Sequence, residues 1–86
     1  MTKKQKQFVE DIKRARGIDF ARLGMMVEVN GAPGTIMGLN SSANLEVRFA
    51  NHLQHGKGSH NCHPTWNIAY FDADGQVVAD FRVKAA

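Results

Sequence analysis

The chain has 86 residues, of which 43% are hydrophobic and 22% charged, with a net charge of +3. That length holds one domain with one core, and the mixture is that of a folded chain rather than a disordered one. No run approaches the roughly 18 apolar residues of a membrane span, the opening residues carry charge where a signal peptide needs an apolar segment, and the lone Cys62 forms no intrachain disulfide. A cytoplasmic protein without membrane contact is therefore expected.

The positive charge is concentrated at one end. Residues 1 to 22 hold seven Lys or Arg against three Asp or Glu, a net +4, while the remainder holds four against five, a net −1. The same segment predicts a helix over residues 2–16. Thr2 and Gln5 have the spacing of a capping box, and Phe8, Ile12 and Ala15 recur on one face that Val9 widens. Gly17 supplies a stop, and Lys13, Arg14 and Arg16 sit where the helix dipole favours cations. A helix this short needs its apolar stripe packed against something, with Ile18, Phe20 and Leu23 leading into the next element.

From Gly24 the period shifts toward two. In residues 25–30 Val27 and Val29 share one face and Met26 and Glu28 the other, and NGAPG turns the chain. Residues 34–40 predict a second strand with a bulge or close approach at Gly38, followed by the polar turn NSSAN. In LEVRF, Leu45, Val47 and Phe49 point inward. Residues 66–71 and 76–83 predict a fourth and a fifth strand around the turn DADG, with Val77, Ala79, Phe81 and Val83 opposing Val78, Asp80 and Arg82. The expected fold is mainly β (α+β): an N-terminal helix, then five short antiparallel strands forming a bent sheet or small barrel over residues 24–83, all in one domain spanning 1–86.

The stretch GMMVEVNGAPGTIMGLNSSANLEVRF, residues 24–49, resembles the opening of Src-homology-3-like small barrels, with strands 66–71 and 77–83 completing the barrel. The resemblance implies a menu of partners: proline-rich peptides, methylated tails, RNA or ribosomal components. The family's aromatic groove has no residue-by-residue match, because the chain has a single Tyr and a single Trp.

The segment HGKGSHNCHP is the least ordinary part of the chain, since all four histidines and the cysteine fall between His52 and His63. Imidazole and thiolate are zinc ligands, which makes His60, Cys62 and His63 candidate metal residues, with His52 and His55 as completions, although the Cys-x-x-Cys pair of zinc ribbons is absent. Cys62 beside His60 or His63 also has the composition of a nucleophile with its base, but an inert, buried cysteine is the plainer reading. A third reading is a structural corner in which Pro64 extends the chain at His63 and Trp66 buries its ring.

Phosphate-binding loops, dinucleotide fingerprints, HExxH and nucleophile elbows are missing, and Glu28 with Glu46 more simply keeps a sheet soluble. The expectation is a noncatalytic accessory or protein-interaction module, with a protein partner or self-association and no required cofactor. One alternative is a nucleic-acid-binding domain using the basic helix and the Lys57 loop. Another is a small zinc-binding domain. The candidate interaction residues are Lys13, Arg14, Arg16, Lys57 and Trp66.

Overall fold

A computed structural model describes residues 1–83; the final three residues of the expected domain lie outside them. The elements run α1 (Lys3–Arg16), β1 (Met26–Val29), β2 (Ala32–Leu39), β3 (Leu45–Phe49), α2 (His52–His55), β4 (Ser59–Cys62), β5 (Ile68–Phe71) and β6 (Val77–Asp80).

The N-terminal helix forms as its caps dictate. Thr2 Oγ1 accepts the Gln5 N–H at 3.1 Å, and the Thr2 N–H donates to Gln5 Oε1 at 2.7 Å. At the other end Gly17 takes a left-handed φ of 68° and donates its N–H to the Lys13 carbonyl. Phe8 and Ile12 enter the core, and burying two such side chains contributes about 1.5–3 kcal/mol each. Ala15, expected on the same stripe, is exposed, because the core contact ends one turn earlier.

All strands join one antiparallel sheet in the order β4-β3-β2-β1-β5-β6. The chain first lays down a meander, each strand pairing with the one before it. After β4 it returns to the free side of β1, where Val27 faces Tyr70 and Val29 faces Ile68. The first hairpin turns on Asn30 and Gly31, both at positive φ (52° and 81°), as the tight turn matching strand twist requires. β2 starts earlier than expected, running through Pro33. The register slips between Ile36 and Gly38, in agreement with the expected bulge. The close approach is at Gly34, where an added Cβ would stand 2.6 Å from Val47 Cγ1.

Val27, Val29, Ile36, Leu45, Val47, Phe49, Ile68 and Tyr70 form the buried face, joined by Phe8, Ile12, Ile18 and Ala21 from the N-terminal arm. Tyr70 donates its hydroxyl to the Pro64 carbonyl at 2.6 Å, satisfying the polar end of a fully buried ring. Phe20 meets that ring edge-on at 4.9 Å between centroids.

The helix and antiparallel sheet agree with the sequence-based expectation, but the sheet does not close into a barrel. Its end strands, β4 and β6, do not pair with each other. The sixth strand is β4, formed by Ser59–Cys62 inside the segment expected to be a loop. There His60 and Cys62 lie opposite Val47 and Leu45, so the segment continues the alternation of β3 rather than wandering.

Candidate functional site

The histidine and cysteine side chains are positioned by α2 and β4. Asn51 caps the single turn of α2 by accepting the Gln54 N–H at 3.2 Å. This places His55 over Phe49, with ring centroids 4.5 Å apart, and His60 at 5.5 Å from the same ring. His60 Nε2 lies 2.6 Å from the His55 carbonyl, which can only accept, so that nitrogen carries the proton. His63, beyond the end of β4, accepts the Thr65 N–H on Nδ1 at 3.2 Å.

These contacts overturn the zinc expectation for His60, Cys62 and His63, with His52 and His55 as completions. Among the described residues no group of three or more His, Cys, Asp or Glu can hold a metal ion. His60 Nε2 and His63 Nδ1 are engaged with backbone groups, and Cys62 turns into the sheet interior. Burial, followed by the nearby Glu46 charge, pushes the Cys62 thiol up, opposite to what a nucleophile or a metal ligand needs.

The interaction candidates separate. Lys13 and Arg14 lie on the exposed side of α1, with Arg14 2.6 Å from Asp11. Arg16 instead ties the helix to the β2–β3 turn: Nε donates to the Ala43 carbonyl at 3.1 Å, and Nη2 to the Ser42 carbonyl at 3.3 Å and Asn44 Oδ1 at 2.9 Å. Lys57 is exposed in the short bend that joins α2 to β4. Trp66, expected to bury its ring, is 60% exposed in the turn before β5, which starts at Ile68 rather than at residue 66.

A different surface emerges on the outer face, at the Met26 end of β1. Met26 lies beside Phe71, and Phe71 beside Val77. The β5–β6 register slips by one residue here, leaving the consecutive Val77 and Val78 opposite one stretch of β5. The strict alternation expected for residues 76–83 therefore fails, and both valines are nearly half exposed on an edge strand. The patch opens into a groove of about 670 Å³ between residues 22–26 and the β5–β6 hairpin, bordered by Arg22 on one side and by Asp72 and Asp74 on the other. In the sequence the signals for it are the outward phase of Met26 and of Val78, which with Met25, Met37 and Leu39 suggest an exposed apolar cluster; period-two patterning assigns Val77 to the opposite face from Val78 and so misses it.

Next along the outer face, Arg82 bridges Asp80 at 2.8 Å and Glu28 at 3.5 Å across β1, β5 and β6. This charged row bounds the apolar patch and covers Ala69, which is fully buried beneath it. No helix is long and apolar enough to cross a membrane among the described residues. No protein-family model, curated protein or solved structure matches the chain.

Proposed function

We propose that the chain is a noncatalytic protein-interaction module whose contact surface is the patch formed by Met26, Phe71, Val77 and Val78, and that its occupant is a second copy of the same chain. The observation that carries this reading is the composition of the patch and its rim. Apolar side chains are contiguous across three strands and end at an edge strand, where a small domain normally places charge. The groove beside them is lined by Arg22 as well as by Asp72 and Asp74, and the Arg22 guanidinium also donates to the Asp19 and Ala21 carbonyls. A two-fold interface buries the same surface of both copies, so a rim of both signs lets Arg22 of one protomer meet the acidic hairpin of its partner. The resemblance of residues 24–49 to Src-homology-3-like barrels belongs to the same proposal, supported by the meander from β1 to β4 and the return of β5 to β1.

Sedimentation velocity tests this across micromolar to millimolar concentrations. The weight-average mass rises from monomer toward dimer, and Val77→Thr with Val78→Thr, which keeps both positions β-branched, shifts the equilibrium back by about tenfold or more. Arg22→Glu weakens the dimer, and adding Asp74→Arg restores it. A monomer throughout the range refutes the reading. Salt-sensitive RNA binding lost on neutralising Lys3, Lys6 and Lys13 would move the contact to the helix.

A further inference from the structure

At the end of β1 opposite the apolar patch, the first hairpin turns on Asn30 followed by Gly31, both exposed. This pair carries latent chemistry. An asparagine amide can be attacked by the backbone nitrogen of the next residue, and glycine there puts no side chain in the way. Val29 pairs with Ala32 across the turn, so the ladder leaves the Gly31 N–H unused, and a Cβ built on Gly31 meets nothing within 4 Å. Solvent therefore reaches the attacking nitrogen.

The reaction needs only hydroxide and water. Hydroxide takes the Gly31 amide proton, the nitrogen bonds to Asn30 Cγ, and the Cγ–Nδ2 bond breaks as ammonia leaves with a proton from water, closing a succinimide ring. Water then opens the ring. Addition at Cγ leaves aspartate. Addition at the main-chain carbonyl carbon of residue 30 leaves isoaspartate, in which the chain runs through the former side chain and the backbone has gained a methylene.

The fold holds this chemistry back. Both central residues have positive φ (52° and 81°), and an ideal turn of this type sets ψ of the first at about +30°. There Cβ and the next nitrogen lie on nearly opposite sides of the Cα–C bond, whereas ring closure needs the reacting atoms about 3–3.5 Å apart. Asn67 pins Asn30 in this arrangement at two points. Its carbonyl accepts the Asn30 N–H at 3.1 Å. Its side-chain oxygen accepts the Val83 N–H at 3.0 Å, which turns its NH₂ to donate to Asn30 Oδ1 at 2.7 Å. That donor also polarises the Asn30 carbonyl, which by itself favours attack. Geometry outweighs it: one donor to a developing oxyanion is worth about 10²–10³-fold, and correct placement an effective molarity of about 10⁵–10⁸ M.

We infer that Asn30–Gly31 is a self-modification site kept closed by Asn67, and that release of Asn67 commits the turn to aspartate and isoaspartate. A two-residue turn has no slack, so an added backbone methylene displaces the pairing of Val29, which is buried, with Ala32. The change is one-way, and it marks chains in which the first hairpin has parted from the segment before β5. It is independent of the proposed dimer surface.

The test incubates the full chain at mildly alkaline pH, with and without urea. Mass spectrometry of the peptide spanning residue 30 follows the amide-to-acid conversion, and an isoaspartate-specific methyltransferase reports the rearranged product. The native chain is expected to convert at least about tenfold more slowly than the unfolded one. Asn67→Gly tolerates the φ of 47° and keeps the main-chain carbonyl while removing the side-chain donor, and should speed conversion by about tenfold with a native circular dichroism spectrum. Tyr70→Phe, which loosens the core without touching the turn, should change the native rate far less. Wild type converting as fast without urea as with it, an unchanged rate in folded Asn67→Gly, or equal acceleration by Tyr70→Phe overturns the inference, and the first comparison needs no variant to fold.

Discussion

Gly34→Ala is the sharpest test of how the sheet is packed. Gly34 lies on β2 between Val27 of β1 and Phe49 of β3. A Cβ built there stands 2.6 Å from Val47 Cγ1, 3.0 Å from the Arg48 carbonyl oxygen and 3.3 Å from Phe49 Cδ1. Carbon atoms rest about 3.5–4.0 Å apart, so relief demands a movement of about 1 Å. Val47 is fully buried and β-branched, with little rotamer freedom, and the Arg48 oxygen belongs to the backbone. Overpacking of this kind costs about 1–3 kcal/mol, offset by about 0.4–1 kcal/mol from the reduced entropy of the unfolded chain. A net loss of about 1–2 kcal/mol lowers the melting temperature by roughly 5–15 °C in a domain of this size. Far-ultraviolet circular dichroism with urea and heat is the suitable assay, since Trp66 is already 60% exposed and its fluorescence reports unfolding poorly. Gly38→Ala is the control, because a Cβ there meets nothing within 4 Å. In a double-mutant cycle, Val47→Ala should rescue part of the Gly34→Ala loss, with a coupling of about 1 kcal/mol. A fully stable Gly34→Ala protein, or equal damage at Gly38, refutes the packing argument.

Tyr70→Phe removes the bond to Pro64 and leaves a buried carbonyl unpaired, costing about 1–3 kcal/mol in urea titrations. Burial, then the Cys62 charge, raises the Tyr70 phenol above its ordinary value near 10, so its contribution is complete below about pH 10 and is lost as pH climbs toward the folded-state value. The wild type should therefore lose this stability in strong alkali, and Tyr70→Phe should lack that component of the alkaline loss. Iodoacetamide should label Cys62 in the native protein at pH 7 far more slowly than in urea, since burial raises the thiol; equal rates would show the segment to be open. Arg16→Ala should cost about 1–2 kcal/mol and speed hydrogen exchange at the C-terminal turn of α1 and in residues 40–44, because it breaks the tie between them.

The N-terminal half was the more legible part of the chain. The capping box, Gly17, the Asn30–Gly31 turn and the inward set Leu45, Val47 and Phe49 all follow from local rules, and local rules decided them. What escaped depends on partners distant in sequence. β4 has no apolar alternation of its own and forms because β3 offers an edge to Ser59–Cys62. The register slip that brings Val77 and Val78 together is a property of the β5–β6 pairing rather than of either strand. Composition alone suggests zinc, but the fold does not gather three of these side chains into a metal-holding group among the described residues: Cys62 turns inward, and His60 and His63 each engage a backbone group. Arg16 looked like surface charge because the turn carbonyls that it binds lie more than twenty residues away.

The placement of β1 sets the order in which the sheet can assemble. Its first partner, β2, follows after a two-residue turn, but its second pairs Met26 with Phe71 and Val29 with Ile68, on the far side of the whole meander. Closing so long a loop is slow relative to forming a hairpin, so β1 through β3 can be laid down while one side of β1 still lacks its strand. During that interval Val27 and Val29 border an unpaired backbone edge, the arrangement that recruits strands from other chains. Asn67 then acts as the fastener. Its carbonyl accepts the Asn30 N–H, its amide donates to the Asn30 side chain, and its side-chain oxygen holds Val83, so one residue at a φ of 47° joins the first hairpin to the last strand's end. Refolding yield, more than equilibrium stability, is where a loosened Asn67 would be felt first.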